Sequence, residues 1–410
     1  MTANLKILLV FPKYYPYTKY EVFLETELEV LSMYFDKIYV FPRVHSPILR
    51  TLQKNIIVID EFNKENNLIN HNFFDKIWLL KVSAIETFSN FSINFIRKFR
   101  ENYSFLSSKF KETKHLKNVM SNLGISNAMI YSVWFNDWAT VLSIAKQKKY
   151  INNFVSRAHG YDLFHFRRSE NYIPFQYFNI KNVTKVVCIS NAGKTYLKER
   201  YPKYKNKVLS SYLGVQDKGT NPFPNPETLK IVSVSNINEV KRIHLIIESL
   251  KLTTSNISWT HFGDGPLFNE ILEKANTLPT NVKYEFKGRV SSDELMDYYK
   301  KNPVHSFVFS SSTEGIPVAI QEAISFGIPI IATNVGGVPE IVKPEWGILL
   351  KSNFEPVELK NILEKFIDSK FNTIENRSLI KSFWKNTFNA EQNYLHFAKI
   401  IENNEGNTNN

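Results

Sequence analysis

The chain has 410 residues, with 51 Lys and Arg against 39 Asp and Glu and 43% hydrophobic residues, a length that calls for two or three globular domains rather than one core. The formal charge of +12 favours polyanionic partners: nucleic acid, anionic lipid or phosphorylated small molecules. The single cysteine, Cys188, excludes an internal disulfide, and no apolar run is long enough for a spanning helix.

Met1 to Leu5 leads straight into KILLVFP, with no basic, apolar and cleavage regions in succession, which argues against secretion. Lys6 to Pro12 reads as a buried strand, YYPYTKYEVFLETELEVLSMYF as a loop and an amphipathic helix, and IYVFPR as a second strand, the opening of a parallel α/β sheet. Glu21, Glu25 and Glu29 recur every four residues and are expected to lie mostly on a solvated helix face.

Asn63 to Asn118 is helical in pattern. Within it Arg97, Lys98, Arg100, Lys109, Lys111, Lys114 and Lys117 face only Glu101 and Glu112, interleaved with Phe99, Tyr103, Phe105, Leu106 and Phe110. Such a mixture fits an anionic bilayer surface, and fits equally a solvated lysine face over an ordinary core. No nucleic-acid motif accompanies the charge.

Met129 to Val133, Phe154 to Ala158 and Lys185 to Ile189 read as further strands, the last holding Cys188 as a small buried hydrophobe. His159 stands in the Gly-bearing turn HGYD at a strand end, a place to meet a ligand or simply to be tolerated. Ser190-Asn191-Ala192-Gly193 reads as a helix cap. The first domain is expected to span 1–213, and the polar, Pro- and Gly-rich 214–228 to be a linker.

A second α/β pattern starts at Lys230. Strands over 230–234, 259–262 and 282–286 each run into a Gly-bearing or polar turn, and a helix is expected over 357–367. A final aromatic-rich helix is expected over 383–402, packing back on the first domain, with a disordered tail over 403–410. The densest stretch is SSSTEGIPVAIQEAISFGIPIIATNVGGVPEIV, Ser310 to Val342. A strand ends at Ser310, Gly315 permits a tight turn, and Pro317 suits the first position of a helix running to Ser325 and stopping at Gly327. The amides of Gly315 to Ala319 then form a positive helix end suited to a phosphate, with Glu314 beside it and Glu322 deeper. Each glutamate alone reads equally well as a cap or a solvated helix residue.

Taken together with Lys241-Arg242, Gly263-Asp264-Gly265-Pro266, Lys287-Gly288-Arg289 and the terminal Phe383-Trp384 and Phe388-Asn389-Ala390, this stretch resembles the retaining glycosyltransferases of family four, of the kind found in bacterial surface-polysaccharide or lipopolysaccharide assembly. The resemblance covers nearly all of 230–400 and, more loosely, KILLVFP, AHGYD and VVCISNAGK. It implies an α/β GT-B fold, two Rossmann-like domains facing across a cleft, with the nucleotide-sugar domain over 229–382. It also implies transfer of a hexose from a nucleoside diphosphate sugar to a lipid-linked or polysaccharide acceptor with retained anomeric configuration, without metal or other cofactor. A cytoplasmic location is expected, extending to the inner face of the membrane if the basic stretch meets lipid, with no nucleic-acid partner.

In such enzymes the residue matching Glu314 contacts the donor sugar, Glu322 the ribose, Lys241 the diphosphate, and His159 the sugar near the breaking bond. The implied catalytic set is His159, Glu314 and Lys241. The implied donor site comprises Asn236, Lys241, Arg242, Gly263, Gly265, Arg289, Glu314, Gly315, Ile316, Pro317, Val318 and Glu322. Two positions depart from the pattern: Asn236 stands where relatives often carry an arginine, and PKYYPYTKYE replaces an N-terminal Gly-rich turn. A sugar-nucleotide epimerase on the same fold, or a degenerate scaffold at the membrane surface, are the alternatives.

Overall fold

A computed structural model describes residues 5–17, 20–47, 50–60, 71–89, 94–125 and 127–403. The expected disordered tail from 404, and residues 63–70 and 90–93 of the expected helical region, lie outside them. The chain divides into two compact units, 1–212 with 394–410 and 213–393, each an α/β unit on its own parallel sheet.

Unit 1 carries seven parallel strands, β1 (Ile7–Phe11), β2 (Lys37–Val40), β3 (Ile56–Val58), β4 (Met129–Ser132), β5 (Val155–Ala158), β6 (Lys185–Cys188) and β7 (Val208–Ser210), in the order β3-β2-β1-β4-β5-β6-β7. Its helices are α1 (Phe23–Tyr34), α2 (Phe73–Ser89), α3 (Phe95–Asn122), α4 (Asp137–Gln147), α5 (Gln176–Asn182) and α6 (Asn191–Arg200). Alternation along β1 sends Leu9 and Phe11 into one core and Leu8 and Val10 into another, so both sheet faces are covered.

Unit 2 carries β8 (Leu229–Val234), β9 (Ile257–Phe262), β10 (Val282–Phe286), β11 (Ser306–Phe309), β12 (Ile330–Thr333) and β13 (Ile348–Leu350), in the order β10-β9-β8-β11-β12-β13. Its helices are α7 (Ile243–Lys251), α8 (Phe268–Ala275), α9 (Ser292–Lys301), α10 (Val318–Ser325), α11 (Val338–Ile341), α12 (Pro356–Glu364) and α13 (Ile374–Thr387). Both strand orders are those of the Rossmann fold: growth starts centrally, runs to one edge, then reverses beside the first strand.

Three expectations need correction. The stretch 214–228 is no free linker: the Asn221 side chain donates to the carbonyls of Tyr299 (2.5 Å) and Asn302 (2.8 Å) and its oxygen accepts from Val304 N (3.0 Å), fastening it to unit 2. The aromatic C-terminal region is two helices, α13 and α14 (Ala390–Glu402), because Asn389 breaks it, bridging to Val215 and accepting from Gln392 N at 3.1 Å as a cap. From Tyr394 onward α14 belongs to unit 1, where Phe397 and Ile401 join the core of β1, β2 and β4.

The third concerns one acid at the first helix, Glu21, whereas Glu25 is exposed as expected. Glu21 precedes α1 in a left-handed conformation (φ 58°) and is buried, accepting from the amides of Lys13 (3.0 Å), Tyr14 (2.7 Å) and Tyr15 (2.7 Å). Glu27, off the expected stripe, is fully buried against Arg157, whose Nε lies 3.2 Å from it. That guanidinium also donates to Ser211 O at 2.9 Å and lies over the Phe397 ring at 3.7 Å, so the pair ties β5 to α1 and α14.

Candidate active site

In unit 2 the crossovers leave β8 and β11 towards opposite edges, so the loops following these adjacent strands part and open a crevice at their carboxyl ends. Lys241 comes from the first loop and Glu314 from the second. The Asn238 side chain accepts from Lys241 N (3.2 Å) and Ser310 Oγ donates to Lys241 O (2.8 Å), which fixes the lysine backbone. Lys241 Nζ donates to Glu314 Oε1, and Ser311 Oγ donates to the same oxygen at 2.7 Å. The two residues that the resemblance gives to diphosphate and sugar therefore contact each other directly.

Arg242 follows in a left-handed conformation (φ 50°) and spends its guanidinium on backbone carbonyls of Ser310 (2.8 Å), Ser311 (3.2 Å) and Ser352 (2.7 Å). It brackets the Glu314 loop. Arg289, from the loop after β10, is exposed and reaches Asn236 Oδ1 at 3.2 Å. A guanidinium thus stands beside the position where relatives carry an arginine, delivered from another strand end.

Close backbone contacts shape the crevice. Gly263 (φ 141°) donates to Gly288 O at 2.8 Å, and a Cβ on it would lie 1.8 Å from Ser235 O. Gly265 lies as tightly on Ile237, so the 263–266 loop is laid on the loop after β8. Gly336 (φ 53°) does the same for Glu314, with any Cβ 1.8 Å from its carbonyl oxygen. Gly315 differs from expectation: its φ is ordinary and a Cβ there would meet nothing within 4 Å, so the left-handed turn that requires glycine sits at Gly336 and open space at Gly315.

Pro317 is the N-cap of α10 (φ −72°, ψ 120°), with Val318 the first helical residue, one position later than expected. Ile316 is buried under this turn. The first turn of α10 carries the amides that any helix leaves without intrahelical acceptors. Glu322, fifth in α10, is half-buried and accepts from Ser292 Oγ at 3.1 Å; burial pushes its carboxyl up to about 7, against which that hydrogen bond works. It lies one helical turn beyond the Glu314 loop.

In unit 1, the reversal between β1 and β4 places the loops after β1, β4 and β5 together at one sheet edge. His159, just after β5, is buried, with Trp134 at 4.4 Å and Phe23 at 5.1 Å between ring centroids. Neither of its ring nitrogens has a hydrogen-bond partner among the described residues, and Nδ1 is 3.8 Å from Asp162 Oδ2. Asp162 instead accepts from His159 N (2.8 Å) and Phe135 N (2.7 Å), and Trp134 Nε1 donates to Glu21. Glu21 therefore clamps both the loop after β1 and the indole against which His159 rests.

Residues 217–382, nearly all of unit 2, match the family model for glycosyl transferases group 1. Unit 2 is similar to the group 1 glycosyl transferases. Across both units, the chain is 25% identical over 330 residues to an uncharacterized glycosyltransferase of Methanocaldococcus jannaschii, covering 78% of this chain and 82% of that one. Two solved structures share the fold across 97% of this chain and 100% of theirs: Anabaena HepE in complex with UDP-glucose (16% identity, TM-score 0.66) and the lipopolysaccharide outer core galactosyltransferase WaaB (15%, 0.68). The two units have the two Rossmann-like sheets of the GT-B class.

Proposed function

We propose that this protein transfers a hexose from a nucleoside diphosphate sugar to a lipid-linked or polysaccharide acceptor hydroxyl with retained anomeric configuration. The observation that carries the reading is the meeting of Lys241 and Glu314 at the switch point between β8 and β11, with Arg289 beside Asn236 on the same edge. A diphosphate offers Lys241 a stronger partner than one carboxylate, so donor binding exchanges the internal ion pair for two contacts: ammonium to phosphate, and Glu314 to the sugar hydroxyls. The first-turn amides of α10 meet the phosphate beside Gly315, where open space leaves room, and Glu322 accepts from the ribose hydroxyls.

The bond from the anomeric carbon to the leaving phosphate breaks, the acceptor oxygen bonds the same face, and the acceptor proton passes to a leaving phosphate oxygen. Lys241, Arg289 and helix amides stabilise the charge that develops on that phosphate. His159, with both ring nitrogens uncommitted, takes a sugar hydroxyl near the breaking bond. The UDP-glucose complex of the HepE structure supports a nucleotide sugar as donor, and the WaaB likeness supports a surface-glycan acceptor. The family description speaks of glycosyl transfer and lends nothing to the epimerase alternative, and a guanidinium beside Asn236 supports a working diphosphate site over a degenerate scaffold. A thermal-shift screen of UDP-, GDP- and ADP-sugars tests this: a donor at one hundred times its Kd stabilises by about 2.7 kcal/mol, and no shift with any of them contradicts it.

A further inference from the structure

Helix α2 wears its amphipathicity inside out. Its inward face carries Asp75, Ser83, Glu86 and Thr87 around Leu79, all buried. Its outward face carries Phe73 (71% exposed), Phe74 (77%), Ile77, Leu80, Ile85 and Phe88 (68%). A helix on the surface of a monomer in water shows the reverse pattern, because each exposed phenylalanine forgoes burial worth about 1.5–3 kcal/mol. The patch continues past α2: Phe88 packs on Phe95 at 4.8 Å between centroids, and Ile96 beside it is 69% exposed.

Cations are in excess around this face, although Arg97 is paired with the exposed Glu101 at 2.8 Å. Lys76, Lys81, Arg97 and Arg100 are exposed on or beside it. The acids of α2 are turned away, Asp75 accepting from Lys114 at 2.7 Å and Glu86 from Tyr172 at 2.7 Å. By contrast, the basic stretch expected to meet lipid is in part internally committed. Lys109 pairs with Glu112 at 2.8 Å and Lys114 with Asp75, while Leu106, Phe110 and Leu116 on the same helix are core.

We infer that the outward face of α2, with the start of α3, docks in the interface of an anionic bilayer: Phe73, Phe74, Ile77, Leu80, Ile85 and Phe88 lie among the acyl chains while Lys76, Lys81 and Arg100 meet phosphate headgroups. A 17-residue helix is about 25 Å long, and such helices sink about 5–10 Å into the headgroup boundary. The inference does not rest on the reaction proposed above.

The test is co-flotation of the full chain with vesicles of phosphatidylcholine alone or mixed with phosphatidylglycerol, without donor or acceptor. The protein is expected to float with the anionic vesicles. Phe74→Ser combined with Ile77→Ser reduces the bound fraction at least tenfold at an unchanged circular dichroism spectrum and melting midpoint. Lys81→Glu reduces it roughly fivefold or more, at about 1 kcal/mol per basic residue. Lys117→Glu, on the exposed far part of α3, leaves it within about twofold. The inference is overturned if the wild-type protein stays unbound, if Lys117→Glu abolishes flotation while the double serine variant keeps it, or if light scattering shows a dimer that the double serine variant dissolves and no vesicle binding.

Discussion

The Glu322→Gln substitution keeps the side-chain shape and the oxygen that accepts from Ser292 while removing the ionisable proton. In the folded protein burial lifts this carboxyl from 4.5 to about 7, so the fold holds a proton that the unfolded chain has released. The sign follows: ligand-free stability falls as pH rises from about 4.5 to about 7 and levels off above, where both states are ionised. At about 1.36 kcal/mol per pH unit the interval is worth about 3 kcal/mol, and the partial exposure of Glu322 leaves water to screen some of it, giving about 1–3 kcal/mol. Urea unfolding of both proteins from pH 4.5 to 8 isolates this carboxyl, because every other titration cancels in the difference. The Glu322→Gln variant should be the more stable form at pH 8 by about that amount, with the gap closing towards pH 4.5, while calorimetry shows weaker binding of nucleoside diphosphate. A gap independent of pH, or a variant less stable at pH 8, would refute the reasoning.

Three further outcomes follow. Lys241→Ala should weaken nucleoside diphosphate binding by about 1.5–3 kcal/mol in calorimetry, the range for a charge-assisted hydrogen bond, and unchanged affinity would remove Lys241 from the diphosphate site. Arg289→Ala should weaken it by a smaller amount, and adding Asn236→Arg to that variant should restore it, because the two positions are neighbours; a double variant no better than Arg289→Ala would deny the exchange. Turnover should survive EDTA, since Lys241, Arg289 and helix amides are assigned the diphosphate charge, and activity lost in EDTA and recovered with Mg²⁺ or Mn²⁺ would assign it to a cation.

The buried central strands were legible because apolar runs such as KILLVFP and HSFVFS carry their own signal. The edge strands β3, β7 and β13, three residues each, do not; sheet pairing alone makes them strands. Within the site, Glu314 and Glu322 stood out through local turn and helix chemistry, and Lys241 through the resemblance. Glu21 did not, since its partners are amides six to eight residues back and an indole 113 residues on, and a four-residue spacing reads such an acid as solvated. The buried Glu27–Arg157 pair spans 130 positions and is equally invisible to periodicity. The break before α14 had a signal that aromatic content masked: Asn389 three residues before Gln392, a helix cap. Polar, Pro-rich composition made 214–228 read as a linker because fastening by the amide of Asn221 leaves no apolar trace.

The most direct measurement is the fate of the donor: the protein is incubated with UDP-, GDP- and ADP-sugars and the products are followed by proton and phosphorus NMR. Glycosyl transfer through Lys241 and Glu314 predicts slow release of nucleoside diphosphate from one donor, faster release with a glycan acceptor, the donor's anomeric configuration in the product, and loss of release in Lys241→Ala. Intact donors throughout, or a rearranged sugar still joined to its nucleotide, would contradict it.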